Sequence, residues 1–185
     1  MPEAVITINE PNYVTGNSEN IISPQEAAAI FPDIIQKYKK NHGMKIVAPS
    51  PIDCSGGPGC AGVSTAFEWL DQFIAACPSC WTDIDYLSIH QYTSFANCKK
   101  TIESYYAKYK KPIWVTEVSN GYASPQEQLQ FMKELINYVS ATDFVHKVFW
   151  VSAREIPDKS TVNGALIDNN GQLTELGAYY QNQCF

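Results

Sequence analysis

The chain has 185 residues, 13 basic against 19 acidic side chains and a formal net charge of −6, with 45% of its residues hydrophobic. That suffices for one cored domain, and the negative balance argues against nucleic acid or an anionic membrane surface as a partner, since both need a basic face. No stretch approaches the roughly 18 apolar residues of a membrane span, so no membrane span is expected. The opening Met1-Pro2-Glu3-Ala4 has no charged-then-apolar secretory leader.

Ala4 to Ile8 is a β-branched apolar run, too short for a helix and ended by Asn9-Glu10-Pro11-Asn12, which predicts a strand running into a loop. Ser23-Pro24-Gln25-Glu26 combines an N-cap, a proline at the first helical position and a capping-box glutamate. Ala27, Ile30, Phe31, Ile34, Ile35 and Tyr38 then form one apolar stripe, Pro32 is expected to disturb it, and Gly43 should stop it. Lys45 to Ala48 predicts a strand and Thr65 to Ala76 a helix presenting Phe67, Leu70, Phe73 and Ile74. Ile84 to His90 follows as a strand, Lys99 to Lys110 as a helix, and Pro112 to Val118 as another strand. Ser124-Pro125-Gln126-Glu127 repeats the first cap, ahead of Leu129, Met132, Leu135, Ile136 and Val139. Lys147 to Val151 is the fifth strand, and a short helix from Thr174 to Tyr180 closes the chain.

Five short apolar strands alternating with five helices, without period-two patterning, predict an α/β fold with a parallel sheet. Gly56-Gly57-Pro58-Gly59 has neither dinucleotide spacing nor a phosphate-loop lysine, so no nucleotide cofactor is expected. The six cysteines, Cys54, Cys60, Cys77, Cys80, Cys98 and Cys184, allow many pairings. Cys77-Pro-Ser-Cys80 has the spacing of a redox pair or a zinc half-site, but His42, His90 and His146 supply no matching second pair. Structural disulfides are the favoured reading, with no metal, and they point to an oxidising, extracellular compartment. A dithiol redox protein is the outlying alternative.

In parallel α/β folds the chemistry collects at the C-terminal strand ends. Here these are Asn9-Glu10-Pro11-Asn12, Pro49-Ser50-Pro51, His90-Gln91-Tyr92, Thr116-Glu117-Val118 and Trp150-Val151-Ser152. Glu10 and Glu117, 107 residues apart, each end an apolar strand, where an ionised group is costly without a partner or a purpose. Two carboxylates flanking one bond are what glycoside hydrolysis requires. Asn9, Asn12, His90, Gln91 and Tyr92 supply polar contacts suited to sugar hydroxyls, and Trp150 a stacking face.

These motifs, with Ser88-Ile-His-Gln-Tyr92, Leu166-Ile-Asp168 and Gly171-Gln-Leu-Thr-Glu-Leu-Gly177, resemble glycoside hydrolase family 128, the alkali-sensitive-linkage type of glycosyl hydrolase catalytic core. The resemblance runs from residue 4 to the C-terminus. It implies a (β/α)8 TIM barrel cleaving β-1,3-glucan with retention, without metal or cofactor, and a cell-wall or extracellular setting. Glu10 would be the acid/base, Glu117 the nucleophile, and Asn9 a partner of the sugar 2-hydroxyl. Retention would place the two carboxyl groups about 5 to 5.5 Å apart. In the family the Asn-Glu pair ends the fourth strand and the second glutamate the seventh. Residues 1–185 are therefore expected to form a single glycosyl hydrolase catalytic domain carrying roughly the last five strand–helix units and lacking the first three. Those three belong to a longer protein, come from a partner, or are absent from an open remnant. The alternative function is a non-catalytic cell-wall or β-glucan-binding barrel remnant.

Overall fold

The computed structural model describes residues 2–13, 21–53, 65–121, 123–154 and 163–183. The chain divides into two compact units, Met1–His90 and Gln91–Phe185. Both are built from parallel strands and helices.

The first unit contains β1 (Ala4–Ile6), α1 (Pro24–Ile34), β2 (Lys45–Val47), α2 (Ala66–Ala76), α3 (Pro78–Asp83) and the first four residues of β3 (Leu87–Tyr92). β1 and β2 pair in parallel, Ala4 against Lys45 and Ile6 against Val47. β1 stops two residues short of the predicted end, where Thr7 donates its hydroxyl to the Val47 carbonyl at 2.8 Å. The predicted capping box is formed: Ser23 accepts from the Glu26 amide while the Glu26 carboxylate accepts from the Ser23 amide. Pro32 lies inside α1, and the disturbance expected there takes the form of a π-helical turn, Ile35–Lys40, closed by the Asn41 amide reaching back to the Gln36 carbonyl. Gly43 ends it with φ of 69°. The unit's core is aromatic, with Phe73 packed edge-on to Phe31 and stacked on Trp69.

α3 was not expected. Pro78 opens it, and a Cys77–Cys80 disulfide joins the residue before it to its third residue. At its other end Asp85 accepts from the Ile46 amide at 2.9 Å and pairs with Lys39 at 3.0 Å. Burial raises the Asp85 pKa, but the Ile46 amide and the Lys39 and Lys45 ammonium groups outweigh it, so the carboxyl is held below its ordinary value.

The second unit contains Gln91 and Tyr92 of β3, α4 (Phe95–Tyr109), β4 (Ile113–Ser119), α5 (Pro125–Ser140), β5 (Val145–Trp150) and α6 (Glu175–Gln181). α4 begins at Phe95 rather than Lys99 because the Phe95 ring finds partners in Phe131 and Tyr138 of α5. The second capping box, at Ser124, is formed as predicted. β4 and β5 run parallel, but Val115 faces Val148 while Val118 faces Trp150, so β4 carries one extra residue across Thr116 and Glu117. Gly177 in α6 lies so close to the Leu166 carbonyl that a Cβ there would sit 1.9 Å from the oxygen, which admits only glycine. Among the described residues, neither unit by itself contains a closed barrel.

Candidate active site

In the first unit, Glu10 stands on a tight turn beyond β1. Its amide donates to the Ser50 carbonyl at 3.1 Å, and its own carbonyl accepts from the Tyr13 amide at 3.1 Å. The backbone is held at φ of 39°, a left-handed conformation unusual for a glutamate. The turn is tied down from below. Asn12, only 1% exposed, donates to the Ile52 carbonyl at 2.8 Å and accepts from the Ile52 amide at 2.9 Å. This Asn12 amide therefore fixes the loop carrying Glu10. Asn9, next to the glutamate, is exposed and bridges Ser50 in parallel. The Glu10 carboxyl, with its side chain 21% exposed, lies 2.8 Å from Nδ1 of His90, whose side chain is 1% exposed. The structure thus joins two of the residues that the sequence singled out, 80 positions apart in the chain.

In the second unit, Glu117 lies on the bulged stretch of β4 and is half-buried. A bulge re-aims the side chain it carries, and such irregularities concentrate beside active sites. The Tyr92 hydroxyl donates to Glu117 Oε2. Tyr92 is itself 41% exposed, and its carbonyl is approached closely by Gly121, where a Cβ would meet the oxygen at 2.8 Å. Gln128, fully buried on α5, holds this loop by accepting from the Asn120 amide at 2.9 Å and donating to the Gly121 carbonyl at 3.1 Å. Gln91 is half-buried beside Tyr92. Trp150 donates its indole N–H to the Gly164 carbonyl at 2.7 Å and packs on Phe131 with ring centroids 6.0 Å apart. Its nitrogen is thus committed to the protein. The Val151–Ser152 peptide that follows is cis.

Sequence reasoning missed Gln128, because a glutamine on a helix gives no periodic or motif signal, and missed the bulge, which exists only in the pairing with β5. Of the cysteines, Cys77 and Cys80 form the disulfide, and Cys98 is free and buried. Burial pushes the Cys98 thiol up to about 12. Cys54, Cys60 and Cys184 lie outside the described residues.

Parallel α/β folds place functional groups at the C-terminal ends of their strands, and paired carboxylates are the groups that glycosidases use. A family profile described as glycosyl hydrolase catalytic core matches residues 1–180, and the chain belongs to that family. It is a glycoside hydrolase domain of the family 128 type. An endo-β-1,3-glucanase of family 128 subgroup II from Sorangium cellulosum superposes with a TM-score of 0.81 at 28% identity, over 97% of this chain and 69% of that one. The subgroup II endo-β-1,3-glucanase of Pseudomonas viridiflava gives 0.79 at 30% identity, over 99% and 70%. A subgroup V exo-β-1,3-glucanase from Cryptococcus neoformans gives 0.76 at 25%, over 96% and 68%. No curated protein matches the chain.

Proposed function

We propose that the chain hydrolyses β-1,3-glucan with retention of configuration, Glu117 acting as nucleophile and Glu10 as acid/base. The observation that carries this reading is the environment of the two strand-end glutamates: each is anchored on rigid backbone, and each is paired with a side chain suited to its task. A carboxylate of Glu117 attacks the anomeric carbon while Glu10 gives its proton to the departing oxygen; water then attacks the glycosyl ester as Glu10 takes a proton back. Two inversions give retention. Tyr92, donating to Glu117, stabilises the carboxylate before attack and gives up part of that bond as the ester forms. His90 suits a residue that changes protonation state twice per turnover, because its Nδ1 donates to a Glu10 carboxylate or accepts from a Glu10 acid.

The match to two endo-acting β-1,3-glucanases at 28% and 30% identity supports the substrate class. The parallel strand order and these superpositions also support a (β/α)8 barrel as the parent architecture. Asn9, Gln91 and the Trp150 ring are the proposed sugar contacts, and the Cys77–Cys80 disulfide favours an extracellular or cell-wall setting.

The direct test is laminarin hydrolysis followed by reducing ends. Glu117→Gln is expected to lose at least about a thousandfold in kcat, and Glu10→Gln about a hundred- to ten-thousandfold on the polysaccharide. Azide separates the roles, giving an α-glycosyl azide from Glu117→Ala and a β-glycosyl azide from Glu10→Ala with an activated substrate. Full activity of Glu117→Gln would remove the nucleophile assignment. Tight binding of the parent chain to insoluble glucan with no hydrolysis would establish the non-catalytic alternative instead.

A further inference from the structure

Beneath the Glu10–His90 contact lies a second polar contact that the proposed mechanism does not use. Ser50, fully buried beyond the end of β2, and Ser88, 1% exposed in β3, hydrogen-bond hydroxyl to hydroxyl. Both hydroxyls are withdrawn from water, where such groups are retained only if satisfied. Ser50 is wired to the backbone of the Glu10 turn on both sides: its amide donates to Ile8 at 2.9 Å, and its carbonyl takes the Glu10 amide at 3.1 Å. Ser88 precedes His90 by two residues on one strand, so both side chains leave the same face.

The geometry makes two successive rungs onto β3, Ser50 to Ser88 from the end of β2 and Glu10 to His90 from the turn beyond β1, and the bond from the Glu10 amide to the Ser50 carbonyl ties the two together. From this we infer that Ser50 and Ser88 are positioning residues for the acid/base, the lower rung fixing the separation at which Glu10 meets His90. This rests on Glu10 as acid/base. A displacement of about 1 Å at a reacting group costs on the order of a hundredfold in rate, and losing the lower rung allows part of that shift. Ser50→Ala and Ser88→Ala are each expected to lower kcat about tenfold with KM changed less than about twofold, and Ser88→Thr, which keeps the hydroxyl, to restore it.

The double variant Ser50→Ala/Ser88→Ala separates positioning from simple stability. Each single variant removes one half of the Ser50–Ser88 bond, whereas the double variant leaves neither half behind, so thermal stability should recover in part while kcat stays low. The 15N resonances of the His90 ring supply a readout independent of turnover and should move in all three alanine variants. Recovery of kcat together with stability in the double variant, or His90 resonances unchanged in every variant, would overturn the inference. Because the resonances are read without catalysis, they still decide it if Glu10→Gln proves active and the acid/base assignment itself falls.

Discussion

Glu10 combines the acid/base role proposed for it with local strain. A glutamate at φ of 39° bears a cost that glycine does not, and hydrogen bonds to Ser50 and Tyr13 hold it there. This gives an unusual sign: Glu10→Gly should be more stable than Glu10→Ala by about 1 kcal/mol in urea unfolding, although glycine ordinarily destabilises a chain relative to alanine. Neither variant keeps the His90 contact, so the comparison isolates the backbone. Cys98 offers a second test at this scale. Its thiol is neutral in both states at low pH, but between the ordinary 9.0 and about 12 the unfolded chain ionises first. The stability tied to this thiol is therefore complete below pH 9.0 and lost as pH rises towards 12. Iodoacetamide at pH 8 should leave native Cys98 unmodified and label it only after denaturation.

At the scale of elements, the chain's own capping chemistry decided where two helices begin. Ser23 and Ser124, followed by proline and then glutamate, were legible because every group involved lies within four residues. In both boxes the serine hydroxyl, then the serine amide, holds the glutamate carboxyl below its usual value. The cap's contribution is thus present above the ordinary carboxylate range and lost as pH falls through the lowered value. Ser124→Ala should cost about 1 kcal/mol in urea unfolding. What could not be read was settled by partners remote in sequence. The start of α4 depends on the Phe95 ring meeting α5, and α3 is a six-residue helix too short to show a period. The same division holds for the candidate site. Glu10 and Glu117 were visible as charges at the ends of apolar strands, whereas the Ser50–Ser88 pair, the Gln128 clamp and the Tyr92–Glu117 bond depend on spatial neighbours that no local pattern encodes.

For the molecule as a whole, the net charge of −6 has a simple meaning beside the neutral polysaccharide proposed as substrate. No long-range attraction is needed or available, so KM for laminarin should change less than about twofold between 0.05 and 0.5 M salt, the regime in which exposed charges are progressively screened. A steep salt dependence would point to a charged substrate instead.

The π-helical turn at Ile35–Lys40 can be viewed as a surplus residue that the helix has absorbed. Tightening the turn to ordinary α geometry with every residue kept would instead rotate what lies beyond it by about 100°, one residue's share of a turn. Lys39 and Lys40 would swing away from Asp83 and Asp85. Asp85 would then face the Ile46 amide without its nearest counter-ion, and Ile46 belongs to the strand that leads to Ser50 and the Glu10 turn. A change that regularised this helix would thus loosen the frame of the Glu10 turn at the other end of β2, and a small irregularity in a peripheral element acts as a length standard for the candidate site.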